Sequence, residues 1–112
     1  MATLTDDEIE KIKAISAAIS LRDWEKLHSL SDEPIPNFDI FLQYIDIFGE
    51  TILPLEDGFE KSIMEIHIPN GDIHIEAYMR TEENNPSDII LAMIKSTSGT
   101  KKTLSVEYIF RS

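Results

Sequence analysis

The chain of 112 residues contains no cysteine. That absence excludes a disulfide scaffold, a thiol nucleophile and any thiolate metal site, and it fits a cytoplasmic protein. Glycine is scarce at four residues, too few for a phosphate-cradling loop beside the turns that need them. Long apolar runs are missing: Ile89–Ile94 is far shorter than the ~20 residues of a membrane-spanning helix. The opening Met1-Ala-Thr-Leu-Thr-Asp-Asp-Glu8 is acidic where a signal peptide would be basic and then apolar. Lysine and arginine are also absent between Lys26 and Lys61.

Eight carboxylates fill that gap: Asp32, Glu33, Asp39, Asp46, Glu50, Glu56, Asp57 and Glu60. Residues 1–60 carry 14 acids and 4 bases, net −10, whereas residues 61–112 carry 7 and 6, net −1. Nearly all of the chain's −11 therefore lies in its first half. Such one-sided charge opposes compaction but attracts a basic partner and raises its on-rate. It also disfavours nucleic acid and anionic lipid, which are polyanions themselves. With 42% hydrophobic and 28% charged residues the composition is that of an ordinary globular chain. The length suits one domain, 1–112, burying about two-thirds of its unfolded surface.

The first half, about residues 5–49, has helical periodicity. Thr5 and Glu8 make a capping box, and Ile9, Ile12, Ile15 and Ile19 follow as one apolar stripe. Ser20 with Asp23 offers a second, weaker cap, after which Trp24, Leu27 and Leu30, with Leu21 before them, mark a short second helix that the prolines at 34 and 36 terminate. Asn37 caps a third helix through Phe38, Phe41, Leu42, Ile45 and Phe48, stopped by Gly49. The second half, about 61–111, switches to period two. A two-residue turn at Asn70-Gly71 would pair Ile68 with Ile73, Ile66 with Ile75 and Met64 with Ala77 on one face. The other face would then hold His67 beside His74 and Glu65 beside Glu76. Ile89–Ile94 has the pattern of a central strand. After a loop at 96–102 comes a last strand whose Leu104, Val106, Tyr108 and Phe110 alternate with Ser105 and Glu107. Thr51–Leu55 suits a further edge strand ended by Pro54. The expected fold class is α+β: N-terminal helices packed on a roughly four-stranded antiparallel sheet.

Chemistry-bearing patterns are sparse. His67, His74, Glu65 and Glu76 form the only grouping with metal-site chemistry, but no ligand spacing accompanies them and a polar outer face accounts for them. His28 lies near Ser31 and Asp32 with no nucleophile elbow, and Asp57-Gly58 lacks the rest of an EF-hand. No catalytic residue, metal or cofactor is expected. The third helix, by contrast, is apolar nearly all round and ringed by Asp39, Asp46 and Glu50, and Tyr44 is its most plausible exposed anchor.

Small size, strong acidity, lack of cysteine and an acidic-aromatic surface together resemble bacterial immunity proteins, particularly those of contact-dependent growth inhibition systems. The resemblance implies a monomeric, cytoplasmic protein that forms a 1:1 complex with a cognate basic nuclease toxin of the RNase type and covers its active site. Asp32, Glu33, Asp39, Tyr44, Asp46, Glu50, Glu56 and Asp57 are the expected contact residues. The stretch Leu21-Arg-Asp-Trp-Glu-Lys-Leu-His-Ser-Leu30 is similar to a helix near the start of cystatin-like/NTF2-like domains, which also run helices first and sheet second. That likeness implies the alternative function, a small ligand-binding or enzymatic domain with a pocket between sheet and helices.

Overall fold

The computed structural model describes residues 4–97 and 102–112; residues 1–3 of the acidic start and 98–101 of the expected 96–102 loop lie outside the described residues. Three helices come first: α1 (Asp6–Leu21), α2 (Trp24–Leu30) and α3 (Phe38–Phe48). Then follow β1 (Ile52–Leu53), a 3₁₀ turn (Phe59–Ser62), β2 (Met64–His67), β3 (Ile73–Tyr78), β4 (Arg80–Thr81), β5 (Ile89–Ser96) and β6 (Thr103–Arg111). The strands β2-β3-β5-β6 form one antiparallel sheet in that order, and β1 pairs separately with β4. The fold is α+β, as the two periodicities imply.

The caps explain where the helices begin and end. Thr5 Oγ1 accepts the Glu8 amide while the Glu8 carboxylate accepts the Thr5 amide, so the capping box is complete. Asp23 accepts from the Lys26 amide at the start of α2. Asn37 starts α3 differently. Its φ of 50° precludes a side-chain cap, and its backbone carbonyl takes the Ile40 and Phe41 amides instead. Gly49, at φ 69°, ends that helix in the left-handed conformation that glycine tolerates best. Ile12, Ile15 and Ile19 of α1, Leu27 of α2, and Phe41 and Ile45 of α3 meet Ile75, Leu91, Met93, Val106 and Ile109 on one face of the sheet. Each such side chain contributes about 1.5–3 kcal/mol on burial.

The hairpin turns one residue earlier than the Asn-Gly signal predicts. Gly71 donates its amide to Ile68 C=O, with Pro69-Asn70 at the centre, and Ile68 donates to Asp72 C=O. Gly71 follows at φ 98°. A two-residue loop would make Pro69 and Asp72 a hydrogen-bonded pair, and proline has no amide hydrogen to donate. The pairing is therefore Met64–Glu76, Glu65–Ile75, Ile66–His74 and His67–Ile73. A one-residue slip exchanges the two faces of a strand. Met64 and Ile66 consequently point away from the helices and remain 48% and 45% exposed.

A second irregularity acts in β6. Ala92 pairs with Tyr108 but Met93 pairs with Val106, leaving Glu107 as the extra residue of a bulge. The expected single alternation is thereby broken: Leu104 and Val106 face the core, whereas Tyr108 and Phe110 share the outward face with Ala92 and Ile90. The free edge of β6 is covered by the segment after α2. Asp32 donates its amide to Leu104 C=O and accepts the Leu104 amide, and Ser31 Oγ accepts the Val106 amide.

Lys95 is the one charged side chain on the inward face of β5, 4% exposed, with its Nζ 2.8 Å from Glu8 Oε1. Burial pushes the Glu8 carboxyl up. Hydrogen bonds from Lys95 and from the Thr5 amide, with the Lys95 charge, more than offset this and hold it below the ordinary value of 4.5.

Two measurements test these assignments. Gly71→Ala, with its left-handed backbone, should lose about 1–2 kcal/mol in urea unfolding. A depressed carboxyl contributes stability that is complete above its unfolded pKa, 4.5, and is lost as pH falls through the folded value. Stability should therefore decline on acidification below 4.5, and Glu8→Gln should flatten that limb. An unaltered limb would remove the Glu8–Lys95 pair as its source.

Candidate functional site

The expected acidic contact residues do not gather on one face. Five of the seven carboxylates are ion-paired: Asp32 with Lys11 at 2.9 Å, Asp46 with Arg22 at 3.0 Å, Glu50 with Arg111 at 2.7 Å, Glu56 with Arg80 at 3.6 Å, and Asp57 with Lys13. Lys11 and Lys13 leave α1 about 200° apart, so Asp32 and Asp57 flank that helix on different sides. Glu50 also accepts from Thr81 Oγ1 and Asn84 Nδ2. Those two hydrogen bonds, then the one from Arg111, hold its carboxyl below the usual range against the opposing effect of burial. It ties the start of β1 to β4 and β6, which makes it part of the fold. Glu33 and Asp39 are exposed and lie in no ion pair among the described residues.

The apolar residues do gather. Seven large apolar side chains are exposed among the described residues: Leu21, Ile40, Tyr44, Ile47, Met64, Ile66 and Tyr108. Ile40, Tyr44 and Ile47 occupy one side of α3 by helical spacing. Met64, Ile66 and Tyr108 stand on the outward face of the sheet. A hollow of about 160 Å³, lined in part by Ile40, Tyr44, Glu107 and Tyr108, joins the two sets across the β6 edge. Ile40, Tyr44 and Tyr108 thus meet at the β6 edge, and Met64 and Ile66 stand at the β2 edge of the same sheet face, beyond His74 and Glu76. Ile90 and Ala92 lie on that face, fully covered yet outside the helix-facing core cluster.

The charged groups on this face are Glu76 and Glu107, beside His74. The His74 ring nitrogens lie 3.0 Å from Glu76 Oε2 and 3.5 Å from Glu107 Oε1, and the ring stacks beside Tyr108. Burial, then the Glu107 and Glu76 charges, push the Tyr108 phenol up. At one corner a hollow of about 270 Å³ is bordered by Glu33, Asp72 and Glu107 with Pro34, Pro36, Ile94, Ser96, Thr103 and Ser105. Asp72 Oδ1 is buried and accepts no hydrogen bond. None of the outward positions of β2, β3, β5 and β6 is lysine or arginine.

The expected histidine–glutamate cluster is divided by the register. His74 and Glu76 face outward while Glu65 and His67 are opposite inward-facing Ile75 and Ile73, and no group of potential metal ligands assembles among the described residues. His28 packs against the Phe38 ring at 4.3 Å, and the Ser31 hydroxyl is engaged with Glu33 C=O and the Val106 amide. The hollow of about 160 Å³ lies between α3 and β6, with Phe41 and Ile109 also on its wall. An open depression of about 380 Å³ on α2 is lined by Asp23, Glu25, Lys26 and Ser29. Compared with known proteins, the chain matches no family model, no curated protein and no solved structure.

Tyr44, Glu33 and Asp39 are exposed, whereas the exposure of Met64, Ile66 and Tyr108 was not among the expectations from sequence. Pro69 ahead of Asn-Gly was the available signal for the first two. Reversal of charge at Glu50 should lower the melting temperature, because Arg111, Thr81 and Asn84 lose their acceptor. Asp39→Lys should leave stability within about 0.5 kcal/mol. Equal melting temperatures for the two variants would contradict the structural role of Glu50.

Proposed function

We propose that the chain is a protein-binding module whose partner is basic, and more particularly an immunity-type inhibitor that neutralises a cognate basic nuclease toxin by covering its active site. The observation that carries this reading is a face of exposed apolar and aromatic side chains, edged by carboxylates, whose outward strand positions hold no lysine or arginine, on a chain of net charge −11. A nuclease cleft is lined with lysine and arginine to hold phosphates. An acidic protein with aromatic anchors competes for such a cleft by imitating the charge of the substrate.

Of the acids first expected to make contact, Glu33 and Asp39 remain available beside Tyr44. The internal pairs of Asp32, Asp46, Glu50, Glu56 and Asp57 argue against those five as principal contacts. They still contribute to the long-range field, because pairing with the chain's own bases leaves the total charge unchanged. On this reading the protein acts as a 1:1 complex in the cytoplasm, without catalysis, metal or cofactor. No helix among the described residues is long and apolar enough to cross a membrane.

Association with a cationic nuclease toxin, the protein encoded beside this one being the first to test, should approach about 10⁸ M⁻¹s⁻¹ at low salt. It should slow steeply with added salt, while dissociation changes little. Stopped-flow fluorescence at several ionic strengths, read beside nuclease activity, measures both. An on-rate indifferent to salt, or undiminished nuclease activity at a molar excess of this protein, would refute the proposal.

A further inference from the structure

The geometry points to the outward face of β2, β3, β5 and β6, joined to the Ile40–Tyr44–Ile47 side of α3, as the surface that receives the partner, with an arginine or lysine of that partner seated in the hollow between Glu33, Asp72 and Glu107. The inference rests on the reading above that the partner is a basic protein. It differs from the sequence expectation, which placed the contact on the acidic stretch 32–57.

Three observations converge on this face. The helices spend their buried side chains on the opposite side of the sheet, so the outward side has no helix packed into its core cluster. Four strands ~4.8 Å apart and about six residues long span on the order of 400 Å². The α3 stripe extends that area towards the ~800 Å² per partner of a stable interface. Finally, the corner hollow of this face has Glu33, Asp72 and Glu107 on its wall. A guanidinium or ammonium group seated there supplies positive charge that offsets the three carboxylates.

Charge decides between occupants. A second copy would set Glu33, Asp72, Glu76 and Glu107 against their own kind, with no lysine or arginine on the outward strand positions to answer them. Like charges across an interface oppose association. A basic segment with apolar residues between its cations meets the carboxylates and the Tyr108, Ile66 and Met64 side chains together.

The test uses the full chain and a synthetic peptide alternating arginine with leucine, beside a counterpart with glutamate in place of arginine. Backbone amide NMR shifts on titration should move at Ile66, His74, Glu76, Tyr108 and Tyr44, and the glutamate peptide should produce none. The double variant Glu33→Gln/Glu107→Gln should bind the arginine peptide about tenfold more weakly, the scale of a lost charge-assisted hydrogen bond. Tyr108→Ala should weaken it as well, while Glu25→Gln on α2 should not; circular dichroism establishes that each variant is folded. Shifts confined to α2 or to residues 50–58 would overturn this surface and leave the basic-partner reading standing. No binding of the arginine peptide at low salt would overturn both. Sedimentation as a dimer in which these same amides are protected from exchange would also overturn the proposal, in favour of a second copy.

Discussion

Pro69 has no amide hydrogen, so it cannot complete a hydrogen-bonded pair with Asp72, and the β2–β3 hairpin closes around Pro69-Asn70 instead. Every β2 side chain changes sides as a result. Met64 and Ile66, which the alternative register would bury against Ala77 and Ile75, stand beside Glu76 and His74 in contact with water. The edge strand thus gives up part of its contribution to the core. What it gains is an apolar margin on a sheet face that already carries Tyr108 and Phe110. The bulge at Glu107 acts in the same direction, since it turns Tyr108 and Phe110 outward while keeping Leu104 and Val106 in the core. Two local backbone irregularities therefore build one surface.

The charges follow a different logic. Lys11, Lys13, Arg22, Arg80 and Arg111 each reach a carboxylate on another element, and those pairs tie the otherwise base-free stretch 27–60 to α1, β4 and β6. Exposed pairs of this kind are individually weak. Glu50 is stronger because Thr81, Asn84 and Arg111 converge on it, which makes it a joint between the helical and sheet halves. Of the acids beside the outward sheet face, Glu76 and Glu107 have His74 as their neighbour and no lysine or arginine. The same side chains that hold the halves together thereby decide which carboxylates remain for a partner.

The edge of β6 illustrates how the two halves are joined by backbone. Ser31–Glu33 satisfies the Leu104 and Val106 amides through side-chain oxygens and the Leu104 carbonyl through the Asp32 amide. This blocks edge-to-edge growth on that side. It also brings Glu33 and the two prolines round to the corner hollow, next to Glu107. A loop that the sequence marks only as a helix breaker thus becomes one wall of the candidate binding site.

The order of elements, the capping box at Thr5, the stops at Gly49 and the prolines, and the core stripe of α1 were legible in the sequence, because each depends on residues within a turn or two of one another. The concentration of acid in the first half was legible for the same reason. Orientation was not. The hairpin register depended on a hydrogen that proline lacks, and the face of Tyr108 depended on a bulge that periodicity does not encode. The fate of the acids depended on bases 24, 44 and 61 residues away at Asp46, Asp57 and Glu50. Local propensity is written in neighbouring residues, whereas the availability of a side chain to a partner is decided by which distant groups the tertiary fold brings to it.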